Sequence, residues 1–546
     1  MIREYLVVSL AVFSFSAASH AQWLPEGHVV CDTSGNQAGL GLTPKLASDG
    51  RGGVFVCWAD VRTGSVDLYL QHVDSSGNDL LPYQGIPLVD APGTQVQQTI
   101  IPDGEGGAFV SWRDDSGADS YAYAQRIDSF GQPMWTPNGV KAANYGGLWI
   151  RPARTGRGEL VLAWWASPTV VAQKLDSSGQ QMWGDSGVVL TTRGGGIYPE
   201  DVGVTTDGRG GTIVAWTQGP NYGDEVVYVQ RLDSSGKAMW QDNGIALCQG
   251  GNWIYGVAVT SDASGGAIVT WSNSSQYLQY VQRVDSSGII RWPSGGVALG
   301  SIGGGGAQRI SPDDHGGAFV GFGGFLQHVD AAGTKLWAPE GVPYSTDTTF
   351  ESTQAASPGG GVWNFWGHWG VGSDYRIYGQ WIDATGNVRW GDKGILINST
   401  ISHQVNPNAV ADGRGHVFVC WEDDRHGNDG IYLSKFDTVG IMTAVRSRPR
   451  EYPSGPVLEQ NYPNPFNPST TIRFGLPTAR NVSLIVYDVL GREVTTLVKG
   501  TLDAGYHTAT WNASSVASGV YFARLSVTND FGRIAFNKVT KLLLMK

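Results

Sequence analysis

Cysteine is scarce, with four in 546 residues. Charge is low as well: Asp, Glu, Lys and Arg together make up 16% of the chain. There is no basic excess, since 37 Lys and Arg face 48 Asp and Glu for a net charge of −11. That excludes a nucleic-acid partner, which needs a basic face, and it is the wrong sign for anionic lipid. Beyond the first residues no stretch approaches the roughly 18 apolar residues of a membrane-spanning helix. Helical periodicity is also missing, which excludes a bundle or a coiled coil.

Catalytic signatures are equally hard to find. The ten His form no His-Glu-x-x-His pair, and no Gly-x-Ser-x-Gly elbow occurs. Gly303-Gly-Gly-Gly306 lacks the Lys-Ser/Thr of a phosphate loop and reads as a turn. Trp421-Glu-Asp-Asp-Arg425 and Trp112-Arg-Asp-Asp115 have the oxygen chemistry for Ca²⁺ but match no calcium loop, and Asp is common in hairpin loops anyway. No cofactor is expected, and Ca²⁺ is the one ion these segments would suit.

Glycine is abundant, at 77 residues, and Trp reaches 21. Together they point to short strands and tight turns. The first residues read as a secretory signal. Arg3 precedes an apolar run from Tyr5 to Phe15, and small residues stand at Ser19 and Ala21, so cleavage is expected between Ala21 and Gln22. Cys31 and Cys248 follow a Trp by eight residues, and Cys57 and Cys420 directly precede one. Each pair occupies one position in different copies of a repeat, so the four are expected as small buried apolar residues rather than disulfides.

The repeat has three landmarks. Gln is followed by Asp three residues later and Gly three after that, starting at Gln71, Gln125, Gln173, Gln230, Gln282, Gln327 and Gln380, with Ser434 as an altered eighth copy. Asp-Gly-x-Gly-Gly leads into a strand ending in Trp, as in Asp49 to Trp58 and Asp207 to Trp216, with weaker copies at Thr155, Asp313 and Ser357. Trp-x-x-x-Gly recurs at Trp23, Trp135, Trp183, Trp240, Trp292, Trp337 and Trp390, with Leu81 replacing one Trp. Most copies lie about 45–57 residues apart, and each unit reads as four short strands, the signature of a β-propeller blade. The fold expected is therefore all-β: an eight-bladed propeller over 22–441, or a seven-bladed one if one degenerate copy lies outside the ring. Trp23 opens the array out of phase and Gly440 ends it without a following Trp, so the first segment is expected to complete the last blade. The Asp-x-x-Gly turn near Trp loosely resembles the Asp box of sialidase-like propellers, but the spacing departs from it.

The repeated Gln sits on an apolar face, which is costly unless it is bonded, and its recurrence reads as a structural clamp. Arg126, Arg231 and Arg283 share one strand position, again a structural pattern. Departures from the repeat are better candidates for function. Trp363, Trp366 and Trp369 in repeat seven, and Trp164 and Trp165 near Trp149 in repeat three, are candidate ligand aromatics, with extra packing between blades as the other reading.

Residues 442–457 read as a charged, Pro-rich linker. Beyond it lie Asn461-Tyr-Pro463-Asn-Pro465-Phe466-Asn467-Pro468, then Gly491 in Val-Leu-Gly-Arg, Gly519-Val-Tyr521, and a final Lys541-Leu-Leu-Leu-Met-Lys546. Residues 458–546 resemble the type A sorting domain of the type IX secretion system and the related Ig-like flagellar hook-cap domains. The resemblance implies a small Ig-like sandwich. It also implies the secretion machinery and a sortase-like peptidase as partners, and delivery through the periplasm to the medium or outer cell surface. The activity expected is a non-enzymatic binding module for a glycan or protein; the alternative is a secreted polysaccharide hydrolase or lyase. An enzyme should show acidic or His residues gathered in one channel and absent from the other repeats.

Overall fold

Segments such as Thr212-Ile-Val-Ala-Trp216 are apolar on successive residues, which suits a strand covered on both faces. The computed structural model builds that strand as Thr212–Gln218, buried throughout. It describes residues 23, 25–32, 43–117, 119–193, 202–221, 223–250, 253–302, 309–345, 349–369, 375–426, 429–440, 456–476, 480–502, 505–528 and 534–545. The stretch read as a signal, with Ala21 and Gln22, the stretch read as a linker up to residue 455, and Lys546 lie outside the described residues. The protein is all-β, without a helix among the described residues. It divides into two units, Met1–Arg446 and Ser447–Lys546.

The first unit contains eight four-stranded antiparallel sheets among the described residues. We number them 1 to 8, their first strands being Lys45–Ser48, Gln95–Pro102, Leu148–Gly156, Val202–Thr206, Ile254–Ser261, Arg309–Pro312, Thr349–Ala356 and Gln404–Ala411. Sheets 1 to 7 take four consecutive strands each. Sheet 8 takes three, and its fourth, His28–Cys31, comes from the start of the array and pairs His28 with Leu433. Each first strand contacts the first strand of the next sheet, and that of sheet 8 contacts that of sheet 1, so the series closes on itself.

The landmark residues make the joints. In sheets 2 to 7 the Trp of Trp-x-x-x-Gly donates its indole N–H to a carbonyl in the third turn of the following sheet: Trp135 to Ser177, Trp183 to Ser234, Trp240 to Ser286, Trp292 to Ala331, Trp337 to Ala384 and Trp390 to Thr438, at 3.0–3.3 Å. Trp23 makes the same bond to Ser75, from sheet 8 to sheet 1. Leu81 fills the place in sheet 1, against Gly131 of sheet 2. The turn Gly is required: at Gly236, with φ +85°, a Cβ would lie 2.8 Å from the Trp183 ring.

Within a sheet the Gln ties the third strand to the connection that follows. Gln230 Nε2 donates to the Gln241 carbonyl, while its Oε1 accepts from the amides of Arg231 and Trp240. The same three bonds occur at Gln71, Gln125, Gln173, Gln282, Gln327 and Gln380. Sheet 8 has Ser434 there, because its fourth strand arrives from elsewhere in the sequence and no continuous connection needs clamping. The turn Asp accepts two backbone amides through one oxygen, as Asp207 does from Arg209 and Gly211, and pairs through the other with the base after the Gln. Arg231 meets Asp207 at 2.9 Å, and Arg126 and Arg283 meet Asp103 and Asp262 in the same way.

The second unit has a three-stranded sheet (Val457–Leu458, Ser469–Leu476, Gly505–Asn512) and a four-stranded one (Glu493–Leu502, Arg480–Tyr487, Gly519–Thr528, Ile534–Leu544). Ile472 and Phe474 from the first and Leu484, Val486 and Leu525 from the second share one core.

Gln230→Ala would leave a carbonyl and two amides unpaired in a buried layer, and should lower stability by about 1–3 kcal/mol. Chemical denaturation checks this; an unchanged midpoint would show that the clamp contributes nothing.

Candidate functional site

Antiparallel strands alternate in direction, so each sheet has two distinct ends. One end carries the repeated Asp turns. The other carries the second-to-third-strand connections and the passages between sheets, and these are uneven. Two residues separate Ala166 from Thr169 in sheet 3, whereas seven separate Gln218 from Val226 in sheet 4. Side chains that differ between sheets therefore collect at this second end.

Five first strands carry a β-bulge there. In each, two residues oppose the single large Trp of the second strand: 97–98 opposite Trp112, 149–150 opposite Trp164, 256–257 opposite Trp271, 351–352 opposite Trp366 and 406–407 opposite Trp421. The leading bulge residue takes positive φ: Gln97 +56°, Trp149 +58°, Gly256 +69°, Glu351 +44° and Asn406 +56°. For a bulky Trp this is a strained conformation, and bulges re-aim side chains beside functional sites. Neighbouring bulges are bonded to each other. The Trp149 amide donates to Gln97 Oε1 at 3.2 Å, and the Asn406 amide donates to Glu351 Oε2 at 2.8 Å.

Asn406 also donates through Nδ2 to Glu422 Oε1 at 3.0 Å. Glu422 follows the strand Trp directly, a position held elsewhere by Ala59, Arg113, Trp165, Thr217, Ser272, Gly323 and Gly367. It is 2% exposed, and its Oε2 has no hydrogen bond among the described residues. Burial pushes its carboxyl up to about 7, against the opposing pull of the Asn406 bond. Glu351, by contrast, is exposed. Asn406 thus links an enclosed carboxyl to an open one.

The candidate ligand aromatics fall differently. Trp164, Trp363 and Trp366 are buried, which removes them as stacking platforms. Trp164 and Trp366 are the regular second-strand Trp, and Trp366 stacks on Tyr378 as Trp216 does on Tyr228. Trp363 occupies the core position of Phe55 and Phe109. Trp165 is half-buried. Trp369 ends the strand Gly361–Trp369, and its side chain is outside the description. The half-buried Trp149 is instead the aromatic that the bulge presents. Of the thiols, Cys31, Cys57 and Cys420 are buried and Cys248 is half-buried. The described residues hold no cluster of three or more His, Cys, Asp or Glu suited to a metal ion.

In the second unit the motif residues are built into the sandwich. Buried Asn461 donates to the Pro463 carbonyl and to Thr470 Oγ1. Phe466 packs on Trp511, donates its amide to Leu543 and accepts from the Met545 amide, which fixes the last strand. Asn464 donates to the Lys541 carbonyl, and Tyr521 donates its hydroxyl to the Ala517 carbonyl. Gly491, at φ +77°, closes a turn on Asp488, and Gly519 opens the strand paired with Lys541–Leu544. Pro465 and Pro468 flank Phe466 and Asn467 in this segment.

Residues 460–534 match the family model described as the secretion system C-terminal sorting domain. No curated protein matches the chain. Among solved structures, a protein of unknown function from Dyadobacter fermentans DSM 18053 is 10% identical at a TM-score of 0.35, over 76% of this chain and 96% of that one. A eukaryotic initiation factor is 10% identical at 0.41, over 76% and 89%. An exo-beta-1,3-galactanase from Phanerochaete chrysosporium is 9% identical at 0.27, over 78% and 99%. Likenesses this distant carry no argument about activity. The sorting domain does: the chain ends in a type IX secretion sorting domain, engages that machinery and is delivered to the cell surface or the medium. No helix among the described residues is long and apolar enough to cross a membrane.

Glu422 gives this site a pH signature. With its carboxyl at about 7 in the fold and 4.5 as its ordinary value, the folded state holds the extra proton, so stability falls as pH rises from about 4.5 through 7. Glu422→Gln should stabilise the protein by about 1–3 kcal/mol at pH 8 and be near neutral at pH 4. Thermal unfolding across that range checks it; an equal effect at both ends would show that the carboxyl is not titrating there.

Proposed function

We propose that residues 22–441 form an eight-bladed β-propeller that works outside the cell as a non-enzymatic binding module, and that residues 458–546 form the Ig-like sandwich that exports it. The ligand is a glycan, held at the uneven end of the ring. The observation that carries this is Trp149, a half-buried aromatic kept in the left-handed region and bonded to the neighbouring bulge through Gln97. An aromatic face flanked by polar bulge side chains suits a sugar ring, which has an apolar face and a hydroxyl edge. Trp149→Ala should reduce binding at least about tenfold while leaving the unfolding midpoint nearly unchanged, since the backbone bond to Gln97 is kept. Titration of the full chain with soluble polysaccharides measures it; undiminished binding would remove Trp149 from the site.

A second reading, polysaccharide hydrolysis, is favoured by Glu351 and Glu422, two carboxyls in unlike environments joined by Asn406. A pair of carboxyls in unlike environments is the means by which glycosidases supply acid and base. Release of reducing ends by the wild type, lost in Glu351→Gln, would select this reading over plain binding.

Export follows from the second unit. A signal segment over 1–21, cleaved between Ala21 and Gln22, takes the chain to the periplasm. The domain marked by the motif from Asn461 to Pro468, with Gly491, Gly519, Tyr521, Lys541 and Lys546, is then what the outer-membrane machinery and its sortase-like peptidase read. Deleting Leu458 to Lys546 should hold a folded propeller in the periplasm. Deleting only Lys541 to Lys546 should act almost as strongly, because it removes the buried Leu542 and Leu544. Fractionation of a type IX-competent host reads both, and normal levels of either truncation in the medium would refute this role.

A further inference from the structure

One register position in the first strands is not explained by the sheet-to-sheet joints. It is the residue paired with the one before the second-strand Trp, or before Phe322 in sheet 6. In sheets 1, 3 and 6 it is Lys45, Arg151 and Arg309, paired with Cys57, Ala163 and Gly321. The other five sheets place a small residue there, as with Gly203 opposite Ala215 and Ala258 opposite Thr270. Three long cations thus stand at equivalent places where the remaining positions leave room.

The three lie in sheets that do not neighbour one another. Yet burial and the charges of Arg309 and Arg151 push Lys45 down to about 8 against the opposing pull of Glu422, and burial and Arg151 lower Arg309. Cations in sheets 1, 3 and 6 can influence each other in this way only across the space that the first strands enclose. Arg309 fits that setting: protein surrounds it, yet solvent reaches it. Its Nε is anchored on the Ser352 carbonyl at 3.0 Å, and its two Nη atoms take no hydrogen bond among the described residues. Neither Lys45 nor Arg309 has an ion pair among the described residues, although the chain carries a net charge of −11. By contrast, the basic residues after the repeated Gln in sheets 2, 4 and 5 are each matched to a turn Asp.

We propose that the axial space of the ring is an oxyanion site, in which Lys45, Arg151 and Arg309 converge on a carboxylate, sulfate or phosphate group of the ligand. The proposal rests on the binding reading above and gives its ligand a charge. Lys45 and Arg309 stand near like charges with no ion pair of their own among the described residues, which raises the energy of the empty protein, and an anion relieves that repulsion while accepting charge-assisted hydrogen bonds. Two sources share this chemistry: an acidic polysaccharide, or a free inorganic oxyanion.

The test titrates the full chain at low ionic strength with oligogalacturonate, inorganic phosphate and neutral dextran. Oligogalacturonate or phosphate should bind and dextran should not. Binding of phosphate alone identifies a free oxyanion as the source, and binding of oligogalacturonate alone identifies an acidic saccharide. Arg309→Gln and Arg151→Gln should each weaken the interaction about tenfold or more, and added salt should weaken it in the wild type. Without ligand, Arg309→Gln should raise the unfolding midpoint at low salt, because it removes one of the repelling charges; this also reports that the variant is folded. The proposal is overturned if no anionic probe binds, if dextran binds as well as oligogalacturonate, or if the folded Arg variants bind undiminished. Binding that is lost in Trp149→Ala but kept in both Arg variants would sink the oxyanion site and leave the glycan reading intact.

Discussion

Seven of the eight joints in the first unit depend on an indole seated on a glycine of the next sheet. A four-stranded sheet with both faces apolar cannot stand alone in water, and its neighbour must be held at a fixed distance and angle. The Trp of Trp-x-x-x-Gly does this from a known place, because the Gln clamp fixes its backbone amide to the third strand. Its ring lies over a turn that only Gly permits, and its N–H satisfies a carbonyl in that turn. The Gln, the Trp and the Gly are thus one device spread over two sheets. When Trp23 makes the joint between sheets 8 and 1, the last interface is of the same kind as those made by Trp135 through Trp390.

This device, together with the Asp turns, occupies one end of every sheet. Asp207 and its equivalents have their oxygens committed to turn amides and to the base on the third strand, so they offer nothing to a ligand. The other end carries no such repeated demand. Loops there vary, bulges insert, and residues as unlike as Ala59, Trp165 and Glu422 occupy one position. Variation accumulates where the ring does not constrain it, and binding chemistry is found in the same place for the same reason.

That division also explains what could be read in advance. The Gln was legible as a clamp because a lone amide on an apolar face must be bonded, and its recurrence told against a ligand role. Its three partners were not legible, since two lie ten and eleven residues downstream across a turn. The Trp clusters left two readings open because sequence does not report burial: Trp363 and Trp366 stand three apart in a strand and face opposite sides, each into a core. Trp149 was noticed only as a neighbour, since the left-handed backbone that presents it has no sequence signature in a Trp. Lys45, Arg151 and Arg309 escaped notice altogether. The first strand carries no landmark, and uneven passages between sheets hide the equivalence of its residues until the register is known. In the second unit the motif was legible from Asn461 to Pro468, but the way Phe466 holds the final strand was not.

The two degenerate sheets show what the repeat conserves physically. In sheet 3 the turn Asp is Thr155, and Lys174 would be left buried and unpaired; Glu159, four residues on, meets it at 2.8 Å instead. In sheet 7 the Asp is Ser357, and the base is gone too: Trp381 stands in its place, in register with Trp363 where other sheets put a Phe or an aliphatic residue. A buried charge without its partner costs several kcal/mol, whereas exchanging both members for apolar groups is close to neutral. The acid and the base have therefore changed together or been re-paired, and in neither sheet was the joint to the next sheet lost: Trp183 and Trp390 still donate to Ser234 and Thr438. The ion pair is the readily replaced part of the unit, whereas the indole on glycine is kept at seven of the eight joints and gives way only to Leu81 on Gly131.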